Sequence, residues 1–321
     1  MLRSFLIYLS QAGWAQRMVT GWSFAWNFAS RFIAGEGTAE AIAVVRELNA
    51  KGINATLDHL GEHTSTAEEA AQSTDEILAI LDAIEESGVR AGVSIKLTQI
   101  GMGLDASVCR QNLRRILERA KDHKNFVRID IEDTPYTDTT IDAYNEMLSL
   151  GFKPETVGMA VQSYLYRAED DTRKLLESGT RFRLIKGAYK EPPDKAFPKK
   201  VDVDANYDLL TKILMDGALK HGSPKVSKDG RIPPIPAIAT QDDKRVEFAK
   251  QYAQKIGLDK SAFEFQMLHG IRRDLQEQLA AEGYQVRIYV PFGSQWYPYF
   301  MRRLAERPAN VWFFVSNFFK K

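Results

Sequence analysis

Short apolar runs alternate with longer amphipathic stretches along most of the chain. A run of about five β-branched and apolar residues is typical of a buried strand, whereas apolar positions three and four residues apart indicate a helix. The pattern therefore predicts repeated strand–helix units and a parallel sheet. Eight runs have the character of strands, namely Ala55–Leu60, Val93–Leu97, Val127–Ile131, Gly158–Gln162, Phe182–Ile185, Ile235–Ala239, Phe263–Met267 and Val286–Val290.

Helical patterns occupy the intervals between these runs. They cover Ala67–Glu86, Ser107–Lys121, Arg167–Glu177, Tyr207–Lys220, Lys244–Ile256 and Leu275–Glu282, and a last helix opens near Tyr297. Eight units in one chain favour an α/β fold with a closed (β/α)8 barrel of the TIM type over an open doubly wound sheet. We expect residues 1–50 to form a cover of extra N-terminal helices and residues 51–321 to form the catalytic barrel, within a single domain.

Two polar stretches interrupt the alternation. Lys190–Asn206, which contains three prolines, follows the fifth strand at the carboxyl ends, where barrel enzymes build their active sites. We expect it to act as a lid. His221–Pro234 precedes the sixth strand at the opposite end, and we expect a solvated loop without a chemical role.

The composition is typical of a globular protein in a reducing compartment. The 321 residues are 44% hydrophobic and 26% charged, and the net charge of +1 gives no global attraction to nucleic acid. Cys109 is the single cysteine, which excludes an internal disulfide framework and a cysteine metal cluster. A cytoplasmic enzyme is the expectation.

The amino-terminal segment carries arginines and no acidic residue before Glu36. Its apolar run Phe5–Leu9 is too short to span a membrane. We expect packed helices whose tryptophans, Trp14, Trp22 and Trp26, join an aromatic core. The alternative is a peripheral contact of this segment with the inner face of a membrane.

Two motifs match known sites only in spelling. The run from His59 to His63 fits the H-x-x-E-H pattern of zinc peptidases, but that motif needs a helix, and Gly61 after a strand predicts a turn. We expect no metal there. The run from Gly101 to Ala106 spells G-x-G-x-x-A, which makes a nicotinamide-dependent dehydrogenase the formal rival. Eight even units do not fit the open sheet of that fold.

Polar side chains recur at the carboxyl ends of the predicted strands, which surround one pocket in a barrel. A charged residue in a strand is costly without a partner, so Lys96 and Arg183 indicate a site. The alternative is a purely structural ion pair, for instance between Asp130 and a neighbouring arginine. The full set is Asp58, Lys96, Asp130, Gln162, Arg183, Lys186, Thr240, Gln241, Gln266 and Tyr289.

The last predicted helix adds two adjacent arginines, Arg302 and Arg303. Neighbouring helical residues point about 100° apart, so two guanidinium groups can hold one carboxylate or phosphate from two directions. Tyr299 and Glu306 share the face of Arg302. We therefore expect the pocket to bind an anion.

These motifs resemble, in order, those of the FAD-dependent proline dehydrogenases, specifically the short monofunctional bacterial type. The resemblance covers the chain from about residue 30 to its end. It rests on Leu57-Asp58-His59-Leu60-Gly61-Glu62, Ser94-Ile95-Lys96-Leu97-Thr98, Arg128-Ile129-Asp130-Ile131-Glu132-Asp133, Val161-Gln162-Ser163-Tyr164-Leu165, Arg183-Leu184-Ile185-Lys186-Gly187-Ala188-Tyr189, Phe263-Glu264-Phe265-Gln266-Met267-Leu268, Tyr289-Val290-Pro291-Phe292-Gly293 and Arg302-Arg303-Leu304-Ala305-Glu306.

The resemblance implies oxidation of L-proline to Δ1-pyrroline-5-carboxylate, the first step of proline catabolism, by hydride transfer from ring C5 to FAD N5 on a distorted barrel. It implies that Lys96, Arg302 and Arg303 bind the proline carboxylate. Asp130 and Arg183 would be catalytic, with Asp130 orienting the network and Arg183 beside the flavin N5. The residues implied to enclose the proline ring are Tyr189, Leu268, Tyr289 and Tyr299.

The resemblance also implies the FAD contacts and the partners. Gln162 would bind the flavin pyrimidine, and the other implied cofactor residues are Ile131, Arg183, Lys186, Gly187, Ala188, Thr240 and Gln241. Glu306 would brace an arginine. The implied partners are L-proline and a quinone or other electron acceptor, with pyrroline-5-carboxylate dehydrogenase as a candidate.

Two positions depart from the family pattern. Gln241 stands where the family commonly has histidine, which alters a contact at the adenylate end of FAD, and His269 stands where it often has tyrosine. The resemblance also implies proline rather than hydroxyproline as substrate, because Tyr289 is the bulky residue that accompanies proline in this family. Besides the flavin enzyme, two alternatives stay open here: the nicotinamide-dependent dehydrogenase and a non-catalytic barrel that binds an anionic metabolite.

Overall fold

Eight parallel strands follow one another in chain order around a closed barrel. The computed structural model describes residues 8–9, 12–20, 23–61, 63–189 and 191–306. The strands are β1 Asn54–His59, β2 Ala91–Ile95, β3 Val127–Ile129, β4 Val157–Gln162, β5 Phe182–Ile185, β6 Pro236–Ala239, β7 Glu264–Leu268 and β8 Gln285–Phe292. Six residues of β1 pair with β8, from Asn54 opposite Arg287 to His59 opposite Phe292, and this pairing closes the cylinder.

A helix follows each strand, and further helices precede β1. The helices are α1 Gly13–Thr20, α2 Ser23–Ala29, α3 Thr38–Ala50, α4 Ala67–Ser87, α5 Ala106–Asp122, α6 Thr134–Ser149, α7 Ala168–Leu176, α8 Lys200–Lys220, α9 Asp243–Ile256, α10 Arg273–Ala281 and α11 Trp296–Glu306. Single 3-10 turns lie at Leu97–Ile100 and Lys260–Ala262. This architecture confirms the predicted (β/α)8 barrel. Because the sheet is closed, the dinucleotide-binding fold proposed for Gly101–Ala106 is wrong.

The strands agree with the sequence pattern to within one or two residues at each end. The helices show two differences. Asp133 and Pro135 begin α6, a helix that the pattern did not single out, and proline suits this first turn because it needs no backbone donor there. Helix α8 begins at Lys200, so the second half of the predicted loop Lys190–Asn206 is helical.

The loop His221–Pro234 is exposed or partly exposed over most of its length, as the sequence predicts, but Gly230, Pro233 and Pro234 are buried. It lies across the amino ends of the strands, where the Gly230 carbonyl accepts a hydrogen bond of 2.8 Å from Arg287 Nη2 and the Pro233 carbonyl accepts one from Arg181 Nη1. The polar sequence gave no sign of these contacts between backbone carbonyls and buried arginines. The loop therefore seals this lower end.

The amino-terminal helices pack on the last helix of the chain. Trp26 of α2 lies 5.5 Å from Trp296 of α11, and Phe28 lies 5.8 Å from Phe300, measured between ring centres. These contacts of α2 thus hold α11 over the barrel. Trp14 is 54% exposed, in contrast to the core position expected for it. Trp22 and most of Phe5–Leu9 lie outside the described residues, and the domain boundary at residue 50 stays a prediction.

None of the helices in the described ranges is long and apolar enough to cross a membrane.

Gly158 makes room for a buried arginine at the lower end of the barrel. A Cβ atom at this position in β4 would overlap the carbonyl oxygen of Arg181 and lie 2.9 Å from Nη1 of Arg128. Arg128 Nη1 in turn donates to the Met159 carbonyl at 2.9 Å. A side chain at position 158 would therefore displace backbone as well as a buried charge.

We predict that Gly158→Ala lowers the free energy of unfolding by about 1–3 kcal/mol, as overpacking does in other cores. Urea unfolding monitored by circular dichroism measures the change. The control is Gly37→Ala, where the nearest atom to an added Cβ is 3.7 Å away and a loss below about 1 kcal/mol is expected. An equal loss in both variants would contradict the packing argument.

Candidate active site

An ion pair between Asp130 and Arg183 lies at the centre of the upper half of the barrel. Arg183 Nη1 donates to Asp130 Oδ1 at 2.6 Å and to Ser94 Oγ at 2.9 Å. The guanidinium carbon lies 5.0 Å from the centre of the Tyr289 ring. The Tyr289 hydroxyl donates to Asp130 Oδ2 at 3.3 Å. Asp130, Arg183 and Tyr289 thus meet, as the sequence predicts. Ser94 of β2 adds a contact that was not predicted.

A second buried ion pair joins Lys96 to Asp58 at the carboxyl ends of β1 and β2. Lys96 Nζ lies 3.1 and 3.3 Å from the two carboxylate oxygens. Burial raises the pKa of Asp58, and the Lys96 charge acts in the opposite direction. Burial, together with Asp58 and Asp130, also raises the pKa of Tyr289 well above its usual value. The phenol is therefore protonated and acts as a donor.

Helix α11 brings Tyr299, Arg302 and Arg303 to the same end of the barrel. The Arg303 guanidinium carbon lies 5.1 Å from the centre of the Tyr299 ring. Arg302 and Tyr299 line a polar pocket of about 430 Å³ together with His59 and Gln99. The side chain of Glu306, predicted to share their face, lies outside the described part of the structure.

Leu268 and Tyr289 extend the aromatic surface beneath α11. Both are partly buried and pack against the apolar cluster that contains Tyr299 and residues of α1 and α2. Leu268 ends β7, and Tyr289 is opposite it in β8. The apolar and aromatic side chains at the ends of β7 and β8 thus pack directly against α11.

Gln162 presents a buried acceptor without a partner at the end of β4. Its Nε2 donates to the Ile131 carbonyl at 3.1 Å, whereas its Oε1 is buried and has no hydrogen-bond partner within the described ranges. An unsatisfied buried oxygen is costly unless a ligand donates to it. The N–H of a flavin pyrimidine ring is such a donor, so this position fits the cofactor that the sequence implies.

Most of the other residues predicted to contact FAD lie on the turns after β5 and β6, whereas Ile131 follows β3. Lys186 Nζ makes ion pairs of 2.6 Å with Asp204 and 2.7 Å with Asp242. Gly187 has φ +116°, and a Cβ there would lie 2.5 Å from the Tyr164 ring, so only glycine fits. Thr240 Oγ1 accepts from Asp242 N at 3.1 Å. Ala188 and Gln241 are half-buried on the same turns.

The loop between β5 and α8, which carries Tyr189, is anchored to its neighbours. Glu191 accepts hydrogen bonds from the Thr134 backbone N–H at 3.0 Å and from the Thr134 hydroxyl, at the start of α6. Phe197 N donates to the Tyr164 carbonyl at 2.8 Å. The lid role of this loop stays a prediction, and its anchor Glu191 was not predicted because the contact joins distant turns.

The two histidines of the H-x-x-E-H run do not share a helix, and Glu62 between them lies outside the described residues. His59 ends β1 and its Nδ1 lies 3.2 Å from Glu76, while His63 occupies a turn with φ 53°. Over the described ranges, no group of three or more His, Cys, Asp or Glu side chains could hold a metal ion.

Sequence analysis did not predict the hydrogen bond between Ser94 and Arg183. It lies two residues before Lys96 in a strand, so both side chains point to the barrel interior. Strict alternation along β2 was the available signal.

His269, one of the two departures, has a perturbed titration. Burial, with a smaller effect of Arg273, lowers the pKa of His269 to about 4. In the unfolded chain the imidazole titrates near pH ~6.5, so between these values the unfolded chain binds more protons. Stability therefore falls as the pH drops from about 6.5 towards 4.

We expect His269→Gln to reduce the stability lost between pH 7 and pH 5 by about 2 kcal/mol, because the variant has no imidazole to protonate. Urea midpoints at both pH values give the comparison, and His63→Gln on the exposed side of a turn is the control. The same pH dependence in wild type and His269→Gln would contradict the assignment.

Comparison with known proteins agrees with this geometry. The model of the family described as "Proline dehydrogenase" matches residues 41–315. "Proline dehydrogenase 2" of Bacillus subtilis is 38% identical over 320 residues, 99% of each chain, and "Proline dehydrogenase" of Deinococcus radiodurans is 40% identical over 298 residues, 92% of this chain and 91% of that one.

A solved structure extends the comparison to the fold. Proline utilization A (PutA) from Bdellovibrio bacteriovorus, inactivated by N-propargylglycine, matches with a TM-score of 0.78 and 25% identity, over 88% of this chain and 33% of its own. The chain thus matches the curated proline dehydrogenases over nearly their whole length and PutA over about a third. It therefore belongs to the proline dehydrogenase family, and to the short, monofunctional type within it.

Proposed function

We propose that this protein oxidises L-proline to Δ1-pyrroline-5-carboxylate with FAD as the electron acceptor. One observation supports the proposal beyond family membership: cationic side chains lie against aromatic rings at the carboxyl-terminal end of the barrel, Arg183 over Tyr289 and Arg303 over Tyr299. A proline molecule has the complementary chemistry, a carboxylate attached to a five-membered ring whose carbon atoms are apolar. Both halves of the substrate thus have suitable contacts.

The substrate carboxylate interacts with Lys96, Arg302 and Arg303 in this proposal. Two guanidinium groups and one ammonium group provide charge-assisted hydrogen bonds, which are about twice as strong as neutral ones. Tyr289, Tyr299, Leu268 and Tyr189 enclose the ring and exclude water from it. Tyr289 and the Arg183–Asp130 pair hold the reacting side of the ring in a fixed position.

When bound, FAD would supply a two-electron acceptor for the hydride from C5 of proline, and loss of the N–H proton to solvent would complete the C=N double bond of the product. Gln162 Oε1 would accept a hydrogen bond from the pyrimidine ring, and Arg183 would supply positive charge where negative charge develops on reduction. The remaining contacts in the proposal come from the turns of Ile131, Lys186–Ala188 and Thr240–Gln241.

The electrons then pass to a quinone or another acceptor. A peripheral membrane contact belongs to the same proposal, supported by the exposed side chains of Trp14 and Met18, which are 54% and 48% exposed and one helical turn apart on α1. The product, a cyclic imine with a carboxylate, requires a second dehydrogenase to oxidise it further.

An anaerobic absorbance spectrum of the purified protein, before and after addition of L-proline, tests the proposal. We expect flavin bands that lose their long-wavelength absorbance when proline is added. Bands that persist with proline would overturn the substrate assignment and favour a barrel that only binds an anionic metabolite. Absence of a flavin, with none taken up from added FAD, would overturn the cofactor assignment.

We predict that Arg302→Ala and Arg303→Ala each raise the KM for proline by about ten- to a hundredfold, since each removes a hydrogen bond to a charged group worth about 1.5–3 kcal/mol. Flavin content, measured by absorbance, is expected to stay unchanged. Arg114→Ala is the control, because Arg114 pairs with Glu118 on the exposed face of α5. An unchanged KM in both variants of α11 would exclude them as carboxylate ligands.

A further inference from the structure

A buried chain of hydrogen bonds supports Arg183 from below. Arg183 Nε donates to Gln266 Oε1 at 2.7 Å, and Gln266 Nε2 donates to Glu264 Oε1 at 2.5 Å. The same Glu264 oxygen accepts from Arg287 Nε at 2.9 Å. All four side chains are buried inside the barrel. The chain thus connects the sealed lower end with the centre of the candidate active site.

The hydrogen bonds of this buried series can run in only one direction. Arg183 and Arg287 only donate, and the Glu264 carboxylate only accepts. Gln266 must therefore point its NH2 group towards Glu264 and its carbonyl towards Arg183. Arg287 is itself fixed, because its Nη1 and Nη2 donate to the carbonyls of Ala55 at 2.9 Å and Gly230 at 2.8 Å.

This order determines where the Arg183 charge lies. With Nε bound to Gln266 and Nη1 bound to Asp130 and Ser94, the plane of the guanidinium group is defined by contacts on two of its nitrogens. Without the hydrogen bond from Nε to Gln266, the guanidinium group can rotate into the bidentate arrangement that arginine prefers with a carboxylate, here that of Asp130. The positive charge would then be more fully neutralised.

We propose that Gln266 and Glu264 are positioning residues for Arg183: Glu264 orients the Gln266 amide, and the Gln266 carbonyl holds the Arg183 guanidinium away from a two-pronged pair with Asp130. The inference rests on the proposed function, because it assigns the Arg183 charge to stabilising the reduced flavin. Neither residue touches substrate or cofactor in this account. They act through Arg183.

The test replaces the acceptor with an apolar side chain of similar length, Gln266→Met. We expect the two-electron midpoint potential of the bound flavin to fall by about 30 mV, the equivalent of a tenfold change in the reduction equilibrium. The kcat for proline is expected to fall about tenfold, with the KM within twofold of wild type. Titration with a reducing agent measures the potential and needs no proline.

Two further variants keep the proposal testable if Gln266→Met does not fold. Gln266→Asn keeps an amide but withdraws its carbonyl by one methylene, and we expect a shift in the same direction of smaller size. Glu264→Gln keeps an oxygen that accepts from Arg287 and Gln266, so the flavin potential is expected to stay within about 10 mV of wild type, a twofold change in the reduction equilibrium. Its stability is expected to fall, because Arg287 loses its charged partner. Asn112→Leu is the control, since it removes a different buried amide, on α5, that bonds to the Ile100 carbonyl at 3.1 Å.

A measurement on the arginine itself separates this inference from the proposed function. In the full chain, with or without added FAD, NMR reports the exchange of the Arg183 Nε proton with water, assigned by its loss in Arg183→Lys. We expect exchange at least tenfold faster in Gln266→Met and Gln266→Asn than in wild type and Glu264→Gln. If the wild type takes up no flavin or is not reduced by proline, the proposed function fails while this measurement still tests the positioning.

Wild-type exchange at Arg183 and a wild-type potential in both Gln266 variants would overturn the proposal, even if their thermal stability falls as it does in Asn112→Leu. Equal effects of Glu264→Gln and Gln266→Met would overturn the orienting role of Glu264.

Discussion

Charge pairing inside a closed barrel is the constraint on which this structure depends. An unpaired charge in a low-dielectric interior costs several kcal/mol, so each buried charge needs a partner. Asp130 meets Arg183, Asp58 meets Lys96, and Glu264 meets Arg287. The three pairs come from six different β-strands or strand ends. Asp58–Lys96 and Glu264–Arg287 join neighbouring strands, whereas Asp130–Arg183 reaches across β4 and ties the end of β3 to β5.

The two ends of the barrel differ because different segments cover them. At the lower end, backbone carbonyls of the loop before β6 accept hydrogen bonds from Arg181 and Arg287. These two buried guanidinium groups are therefore used in holding the loop. At the upper end the cover consists of α11, held by aromatic contacts to α2. This cover brings its own cations and rings, which is why residues near the end of the chain complete a site begun at β1.

The sequence was sufficient to predict the barrel because each strand–helix unit has a local pattern that repeats along the chain. Each strand is a short apolar run, and each long apolar or amphipathic interval gives a helix, so eight units could be counted without tertiary information. The polar residues at strand ends, including Asp130, Arg183 and Tyr289, followed from that count. Lys200–Asn206 was missed as a helix because its apolar positions, such as Val203, acquire a partner only when α8 packs on the core.

The unpredicted contacts share a different property: they join residues whose separation in sequence carries no pattern. Glu191 caps α6 from a loop that begins after β5, and Ser94 meets Arg183 across the barrel axis. Alternation in β2 placed Ser94 inside but could not name its partner. The roles assigned to the site residues therefore stay proposals, whereas their positions follow from the fold.

The Glu264–Arg287 pair has a consequence for attempts to make this enzyme more heat-resistant. Replacing a buried ion pair with well-packed apolar residues often leaves a protein equally or more stable. Here the glutamate also accepts a hydrogen bond from the Gln266 amide, which in the proposed arrangement positions Arg183. A variant selected only for thermal stability, with apolar residues in place of this pair, would therefore release the Arg183 guanidinium at the opposite end of the barrel. Thermal stability and catalytic activity would then depend on the same side chains, so a gain in stability at these positions would come with a loss of activity.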